Sequence, residues 1–376
     1  MRITYLLEKT GPYHAFRLEG IQDHRVTILE TRPHSSRYPW KESIFLSPVF
    51  LKENSSYKDL ETLILNSKPE ILFITGYGFK EMLWALSIGI RHQIPRVLIS
   101  DTTYLDEPKN KFKEKLKSYL VSEFQSALVA GTRSRQYLAS LGMDSGSIFQ
   151  PYDIVDNGFY SEKTGERILG SEYFLCISRL IPQKNLFFLL EAFRIYSEKS
   201  SGKRQLVLLG NGILEKDLME KVQDLGLQDR VHFMGFLINT EVRRYLQNAH
   251  GLILASVSEP WGLCINEAIS AGTPVIASKN AGATEDLIQD SISGFLISPE
   301  NPLELVEKMI LLDNLHPEQR EKMKEQASKK LEDFDLPHFL EGFNYSAEKA
   351  AINFKNKKLK YLRSILVRNI SRLTNS

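Results

Sequence analysis

Short apolar runs alternate along the whole chain with stretches whose apolar residues recur at helical spacing. In the first half, the runs at 2–7, 25–29, 70–75, 96–100 and 126–130 predict strands. Helical periodicity between them predicts helices over 13–21, 57–65, 79–90, 109–123 and 133–141. Strands that alternate with helices imply parallel pairing, with each helix as the crossover. The pattern lapses over 151–170, where Asp, Asn, Gly, Ser and Lys gather, and a domain boundary is expected there.

The second half repeats the alternation. Strands are expected at 173–177, 205–209, 230–234, 251–254, 274–277 and 294–297, and helices at 185–198, 214–225, 240–248, 262–270, 283–288 and 302–312. Everything after Pro317 has helical character. The predicted fold is α/β, with two doubly wound, Rossmann-like parallel-sheet domains facing an interdomain cleft. In such sheets ligands lie beyond the carboxyl ends of the strands, so the cleft is the expected site.

Size and composition agree. At 376 residues the chain is too long for one ordinary core, and 42% hydrophobic with 25% charged residues is a globular balance. No apolar run reaches the roughly 20 residues that span a bilayer. The N-terminal apolar stretch is too short for a signal peptide and reads as the first strand. Two cysteines, Cys176 and Cys264, argue for a reducing compartment, and both read as buried small hydrophobes. Net charge is +2, but Lys355 to Ser376 hold seven Lys or Arg and no acid, so the body is net acidic and is not built to bind nucleic acid.

The densest chemistry lies in Glu259-Pro-Trp-Gly-Leu-Cys-Ile-Asn-Glu267, which continues into Ala-Ile-Ser-Ala-Gly-Thr-Pro274-Val. It reads as acidic loop, helix, turn and strand. Carboxylates accept hydrogen bonds from hydroxyls, and helix-start amides face anions, so a ligand with hydroxyls and a diphosphate suits it. Upstream, Arg179 and Lys184 flank a strand-to-helix turn, with Asn185 placed to cap the following helix. Two cations at a helix start favour a diphosphate. Gly210-Asn-Gly212 ends the next strand, either as a tight turn or to admit a ligand close to the backbone. It is not a dinucleotide fingerprint, since the third glycine is absent, and neither a Gly-x-x-x-x-Gly-Lys loop nor a His-Glu-x-x-His pair occurs.

In this order, the Arg179/Lys184 loop, the Leu-Gly-Asn-Gly turn at 209–212, the Val-x-Phe-x-Gly run at 231–235 and the Glu-x7-Glu motif resemble the family 4 glycosyltransferases over about 170–300. These are retaining, nucleotide-sugar-dependent enzymes of GT-B architecture. The resemblance implies that Arg179 and Lys184 neutralise the donor diphosphate, that Glu267 binds the nucleotide ribose and that Glu259 meets hydroxyls of the transferred sugar. It also implies that Gly262, Leu263 and Cys264 face phosphate or sugar through their amides, that Gly235 and Phe236 border the base, and that Gly11 lets the first loop approach the diphosphate. Catalysis would be front-face, with no carboxylate nucleophile, no cofactor and no metal, the cations taking the metal's place. The acceptor implied is a glycan or lipid-linked hydroxyl, in surface polysaccharide or glycoconjugate synthesis. A nucleotide-sugar epimerase of the same architecture and a non-catalytic sugar-binding subunit are the alternatives.

On the acceptor side Asp101 stands where many family members carry a histidine, and it either binds a hydroxyl or caps a turn. His14 is the second candidate there, against an ordinary structural role. Tyr77, between two glycines, either stacks on a sugar or packs on its neighbour. The expected domains are 1–165 and 166–335, then a helix over 336–354 that crosses back to the first domain, as the resemblance implies, and a basic tail over 355–376. Leu359, Leu362, Leu366, Ile370 and Leu373 make one stripe on that tail. Such a helix suits an anionic membrane surface or packs on the protein body. The expected location is cytoplasmic, on the inner face of the membrane where the tail binds it.

Overall fold

The computed structural model describes residues 1–32, 49–52, 54–106, 110–165, 168, 172–200, 204–355 and 360–371. The chain divides into two compact units, the first formed by 1–154 with 336–376 and the second by 155–335.

In the first unit, β1 (Arg2–Leu7), α1 (Pro12–Glu19), β2 (Arg25–Glu30), β3 (Val49–Phe50), α2 (Tyr57–Asn66), β4 (Ile71–Thr75), α3 (Lys80–His92), β5 (Arg96–Ser100), α4 (Lys111–Val121), β6 (Ser126–Val129), α5 (Thr132–Ser140) and β7 (Ile148–Phe149) follow in turn. The described strands form one seven-stranded sheet in the order β3-β2-β1-β4-β5-β6-β7, and every pair is parallel. Leu6, Leu72, Ile74 and Leu98 pack from the sheet against Leu60 and Ile64 of α2 and Leu83 and Leu86 of α3. The strand order reverses between β1 and β4, which opens a crevice at their carboxyl ends.

The second unit starts at Val155, inside the 151–170 segment where the boundary is expected but ahead of residue 166. Its elements are α6 (Asn157–Ser161), β8 (Tyr173–Ile177), α7 (Leu186–Lys199), β9 (Gln205–Leu209), α8 (Glu215–Asp224), β10 (Val231–Gly235), α9 (Asn239–Asn248), β11 (Gly251–Leu254), α10 (Leu263–Ser270), β12 (Val275–Ser278), α11 (Thr284–Leu287), β13 (Phe295–Ile297), α12 (Pro302–Asp313) and α13 (Pro317–Leu331). Its parallel sheet runs β10-β9-β8-β11-β12-β13, so its reversal lies between β8 and β11. Phe174, Leu206, Leu208 and Ile253 pack against Leu189, Leu190 and Phe193 of α7 and Leu305 and Met309 of α12.

After Asp335 the chain returns to the first unit through α14 (Leu336–Asn353) and α15 (Lys360–Ile370). Phe343 of α14 stacks on Phe73 of β4 at 4.3 Å between ring centroids. On α15, Ser364, Val367 and Ile370 are buried, whereas Leu362 and Leu366 are 59% and 50% exposed. The tail therefore packs on the protein body, one of the two roles the sequence left open, through a face that takes in Ile370 of the apolar stripe but not Leu362 or Leu366. Ser87 of α3 and Ser364 of α15 place their hydroxyls 2.9 Å apart, and two small residues at that contact let the helices approach closely. Leu359 and Leu373 of the stripe lie outside the described residues. Among the described residues no helix is long and apolar enough to cross a membrane.

Candidate active site

The reversal in the second sheet brings two loops side by side: the one after β8, with Arg179 and Lys184, and the one after β11, with Glu259. Lys184 ends a 3₁₀ turn over Pro182–Lys184. Glu259 lies in the loop before α10. The Lys184 Nζ donates to Glu259 Oε2, and both side chains are mostly buried. Ser256 Oγ donates to the same oxygen at 3.2 Å. Backbone bonds fix the loops as well, with Val257 N donating to Gln183 O at 2.9 Å and Gly282 N to Glu259 O at 2.9 Å. Arg179 is exposed, and its guanidinium has no ion pair among the described residues.

Glycines set the floor. Gly210 takes φ +125°, and a β-carbon there would stand 2.0 Å from Ser178 O. The β8 and β9 loops are consequently zipped together, with Leu180 N donating to Asn211 O at 2.9 Å and Leu214 N to Leu180 O at 3.0 Å. At Gly212 the backbone of Leu180 approaches equally closely. Gly235 ends β10, its carbonyl accepting from Gly210 N at 2.7 Å, and Phe236 beyond it is 39% exposed. Asn185 does not cap α7 with its side chain. It adopts the left-handed conformation and its amide donates to Pro299 O at 2.8 Å.

Helix α10 begins after Gly262, so Leu263 and Cys264 form its first turn, where amides have no partner within the helix. Cys264 is only partly buried by side-chain exposure, in contrast to the fully buried Cys176. Burial, then the Glu267 charge, pushes the Cys264 thiol well up, and burial also raises Cys176, to about 11. Both shifts disfavour the thiolate, the form that acts as a nucleophile. One turn further along α10, Glu267 is buried and its Oε1 accepts from Tyr160 Oη at 2.8 Å. Tyr160 belongs to α6, which Asn157 fastens to α10 through Ser270 Oγ at 2.9 Å. The sequence reading missed Tyr160, and no motif marks it. A polar group facing a buried acid from a five-residue helix leaves no periodic trace.

The first unit carries the other candidates, each at a strand carboxyl end. Gly11 and His14 follow β1, Tyr77 follows β4, and Asp101 follows β5. Gly11 is the N-cap of α1 in extended backbone, φ −125° and ψ 176°. Its amide donates to His14 Nδ1 at 3.2 Å, so that nitrogen is unprotonated. Desolvation, with the Arg17 charge adding to it, lowers the ring to about 3, and the neutral tautomer carries its hydrogen on Nε2. Arg17 itself is buried against Asp153 at 2.9 Å and over the Tyr152 ring at 4.0 Å. Tyr77 packs on the core of this unit, as a loop aromatic does. Asp101 is exposed, and its backbone carbonyl accepts from Ser134 Oγ at 2.8 Å. Among the described residues no cluster of His, Cys, Asp and Glu is placed to hold a metal.

The family model described as glycosyl transferases group 1 matches residues 161–330. Over 134 residues the chain is 37% identical to the alpha-monoglucosyldiacylglycerol synthase of Streptococcus pneumoniae, covering 36% of this chain and 30% of that one. It is 32% identical over 128 residues to an uncharacterized glycosyltransferase of Methanocaldococcus jannaschii, covering 34% and 32%. The match thus spans about a third of the length of these relatives. Among solved structures, HepE of Anabaena in complex with UDP superposes with a TM-score of 0.74 at 17% identity, covering 92% of this chain and 98% of that one. HepE has also been solved with UDP-glucose. At that identity the likeness shows the fold, GT-B.

Proposed function

We propose that this chain, whose residues 161–330 match the group 1 glycosyl transferase family model, is a retaining enzyme moving a sugar from a nucleoside-diphosphate sugar to a hydroxyl of a glycan or lipid-linked acceptor. The observation that carries this is the Lys184–Glu259 contact at the reversal point of the second sheet, above the glycine-zipped loops. An ammonium has three hydrogens, so Lys184 can hold Glu259 and still face a phosphate. Arg179, exposed and unpaired among the described residues, adds the second cation. Together they stabilise charge that develops on the leaving diphosphate.

In the reaction the bond between the sugar C1 and the β-phosphate oxygen breaks. The acceptor oxygen bonds to C1 on the same face, and its proton passes to the departing phosphate. The nucleoside diphosphate leaves. Glu259 positions the sugar hydroxyls and forms no covalent bond, unlike the nucleophile of retaining hydrolases. Buried Glu267 accepts from the ribose. The neutral His14 offers its Nε2 hydrogen as a donor, and Asp101 is exposed to accept from an acceptor hydroxyl. The relative from Streptococcus pneumoniae is named for an α-linked glucolipid, which supports both retention and a lipid acceptor. Donor charge is met by side chains, so turnover is expected to persist in chelator.

Incubation with UDP-glucose and a lipid acceptor that offers a free hydroxyl, such as diacylglycerol, followed by release of UDP and by the linkage of the product, tests the reading. Turnover that survives EDTA and yields an α-linked product is the expected result. Absence of both binding and turnover across the common nucleotide sugars would overturn it.

A further inference from the structure

The first unit has a second charged surface, away from the strand carboxyl ends. The groove between α2 and α15, of about 420 Å³, is lined by Ser56, Tyr57, Lys58, Glu61, Arg91 and Arg368. Three cations face one carboxylate, and Glu61 is already engaged by Arg91 at 3.5 Å and by His92 at 2.7 Å. Aromatic rings hold two of the cations along the groove, with Arg368 4.3 Å over Tyr57 and Arg91 5.8 Å over Tyr361. Beside the groove, α15 presents a ridge of Tyr361, Leu362, Ile365 and Leu366, exposed by 60%, 59%, 38% and 50%. Adjacent large apolar side chains exposed on one helix mark an interaction surface. The helix carries Lys360, Arg363 and Arg368 and no acid, and the flanking sequence adds Lys355, Lys357, Lys358 and Arg372.

We propose that this face docks on an anionic phospholipid bilayer, the α15 ridge entering the interface while Lys58, Arg91 and Arg368 take a lipid phosphate in the groove. The assignment rests on the membrane-borne acceptor reading above and adds the face that meets the bilayer. Charge complementarity selects the occupant. A ridge of Leu and Ile alone would suit a protein partner, whereas an apolar ridge on a helix that carries cations and no acid, beside a groove where three cations face one carboxylate, has the make-up of an interfacial helix. The docked geometry explains why the ridge remains exposed although α15 has packed its other side on α3.

Sedimentation of the full chain with vesicles of phosphatidylcholine alone, or containing about 30% phosphatidylglycerol, tests this. Binding is expected to the anionic vesicles only and to fall at least tenfold in 0.5 M salt, as screening requires. Leu362→Glu with Leu366→Glu should abolish it, and Lys58→Gln with Arg91→Gln should weaken it several-fold. Calorimetric UDP binding and thermal unfolding are followed in the same variants. Variants that lose vesicles but keep UDP and their unfolding temperature support the proposal. Equal binding to both vesicle types, no binding to either, or unaltered vesicle binding in both double variants overturns it. So does a ridge variant that only converts a dimer to a monomer, since the ridge is then a contact between copies. A wild-type chain that binds vesicles but no nucleotide sugar would instead defeat the catalytic reading and leave this one standing.

Discussion

In the proposed reaction Lys184 serves two anions, Glu259 and the donor phosphate, which makes it the most sensitive residue of the site. Replacing it with alanine strips the ammonium from the donor phosphate and leaves the mostly buried Glu259 carboxylate without its cation. Loss of one electrostatic contact to developing charge costs about 10²–10³ in kcat. Lys184→Ala is therefore expected to lower UDP-glucose turnover by that factor, measured under saturating donor. Tyr160 acts differently, because it touches an acid and not the reacting atoms. Tyr160→Phe removes one hydrogen bond to Glu267, worth about 1 kcal/mol, so the UDP dissociation constant should rise several-fold while kcat barely moves. A kcat loss as large as that of Lys184→Ala would contradict a positioning role.

His14 gives a pH signature. Its folded pKa of about 3 lies below the ordinary histidine value of 6.5, so the unfolded chain binds the extra proton between those values. The neutral ring's contribution to stability is complete above pH 6.5 and disappears as pH falls toward 3. His14→Gln should flatten the pH dependence of the unfolding temperature across that window. In the wild type no activity break near pH 6.5 should trace to His14. A break at that pH that vanishes in the variant would mean that the ring titrates normally and is not desolvated as its surroundings indicate.

At the scale of elements, the acidic loop keeps its place because Gly282 lies against it. A β-carbon on Gly282 would stand 1.9 Å from Pro260 O. Backbone cannot yield as a flexible side chain can, so Gly282→Ala should shift the Glu259 loop. Strain of this kind costs about 1–3 kcal/mol, which calorimetric unfolding would register together with weakened UDP binding. Fully buried parallel strands read as apolar runs, and for that reason β1, β5, β8, β9 and β11 were legible residue for residue. The two-residue strands β3 and β7 were not, since no periodicity fits in so short a segment. Glu259, Glu267 and Lys184 were legible as a motif, but their contacts were not. That Lys184 reaches Glu259 follows from the strand order, which sequence alternation does not specify. Which side of the tail packs on the body was not legible, because serines line part of its buried face. Ser364 is packed yet adds nothing to an apolar stripe, while Leu362 and Leu366 of that stripe look outward.

On the scale of the whole molecule, the last helix is a structural part of the first unit as well as its most basic surface. Glu123, almost wholly buried, lies against Arg363 of α15, with Arg96 beside it. Burial pushes the Arg96 guanidinium down to about 10, Glu123 pulls it up, and Arg363 pushes it further down. Removal of Arg363 leaves a buried carboxylate with one cationic neighbour in place of two. Breaking a buried pair costs about 3–5 kcal/mol, and Arg363 is 26% exposed, so the lower end applies. Deleting 355–376 goes further, because it also uncovers the surface of α3 that Val367 and Ile370 bury. Both changes should lower the denaturant midpoint of the first unit, followed through Trp84, whose indole donates to Ser371 at 3.1 Å. The second unit, followed through Trp261, should be unmoved, since none of these residues belongs to it. Truncation would thus abolish the proposed membrane docking by disturbing the first unit's fold as well as by removing the ridge, and cannot tell the two apart. Only the outward-facing substitutions at Leu362 and Leu366, which leave the α3 contact intact, separate docking from stability. A truncated chain whose unfolding matched that of the full chain would show that α15 is dispensable to the fold and that the Glu123–Arg363 pair holds nothing in place.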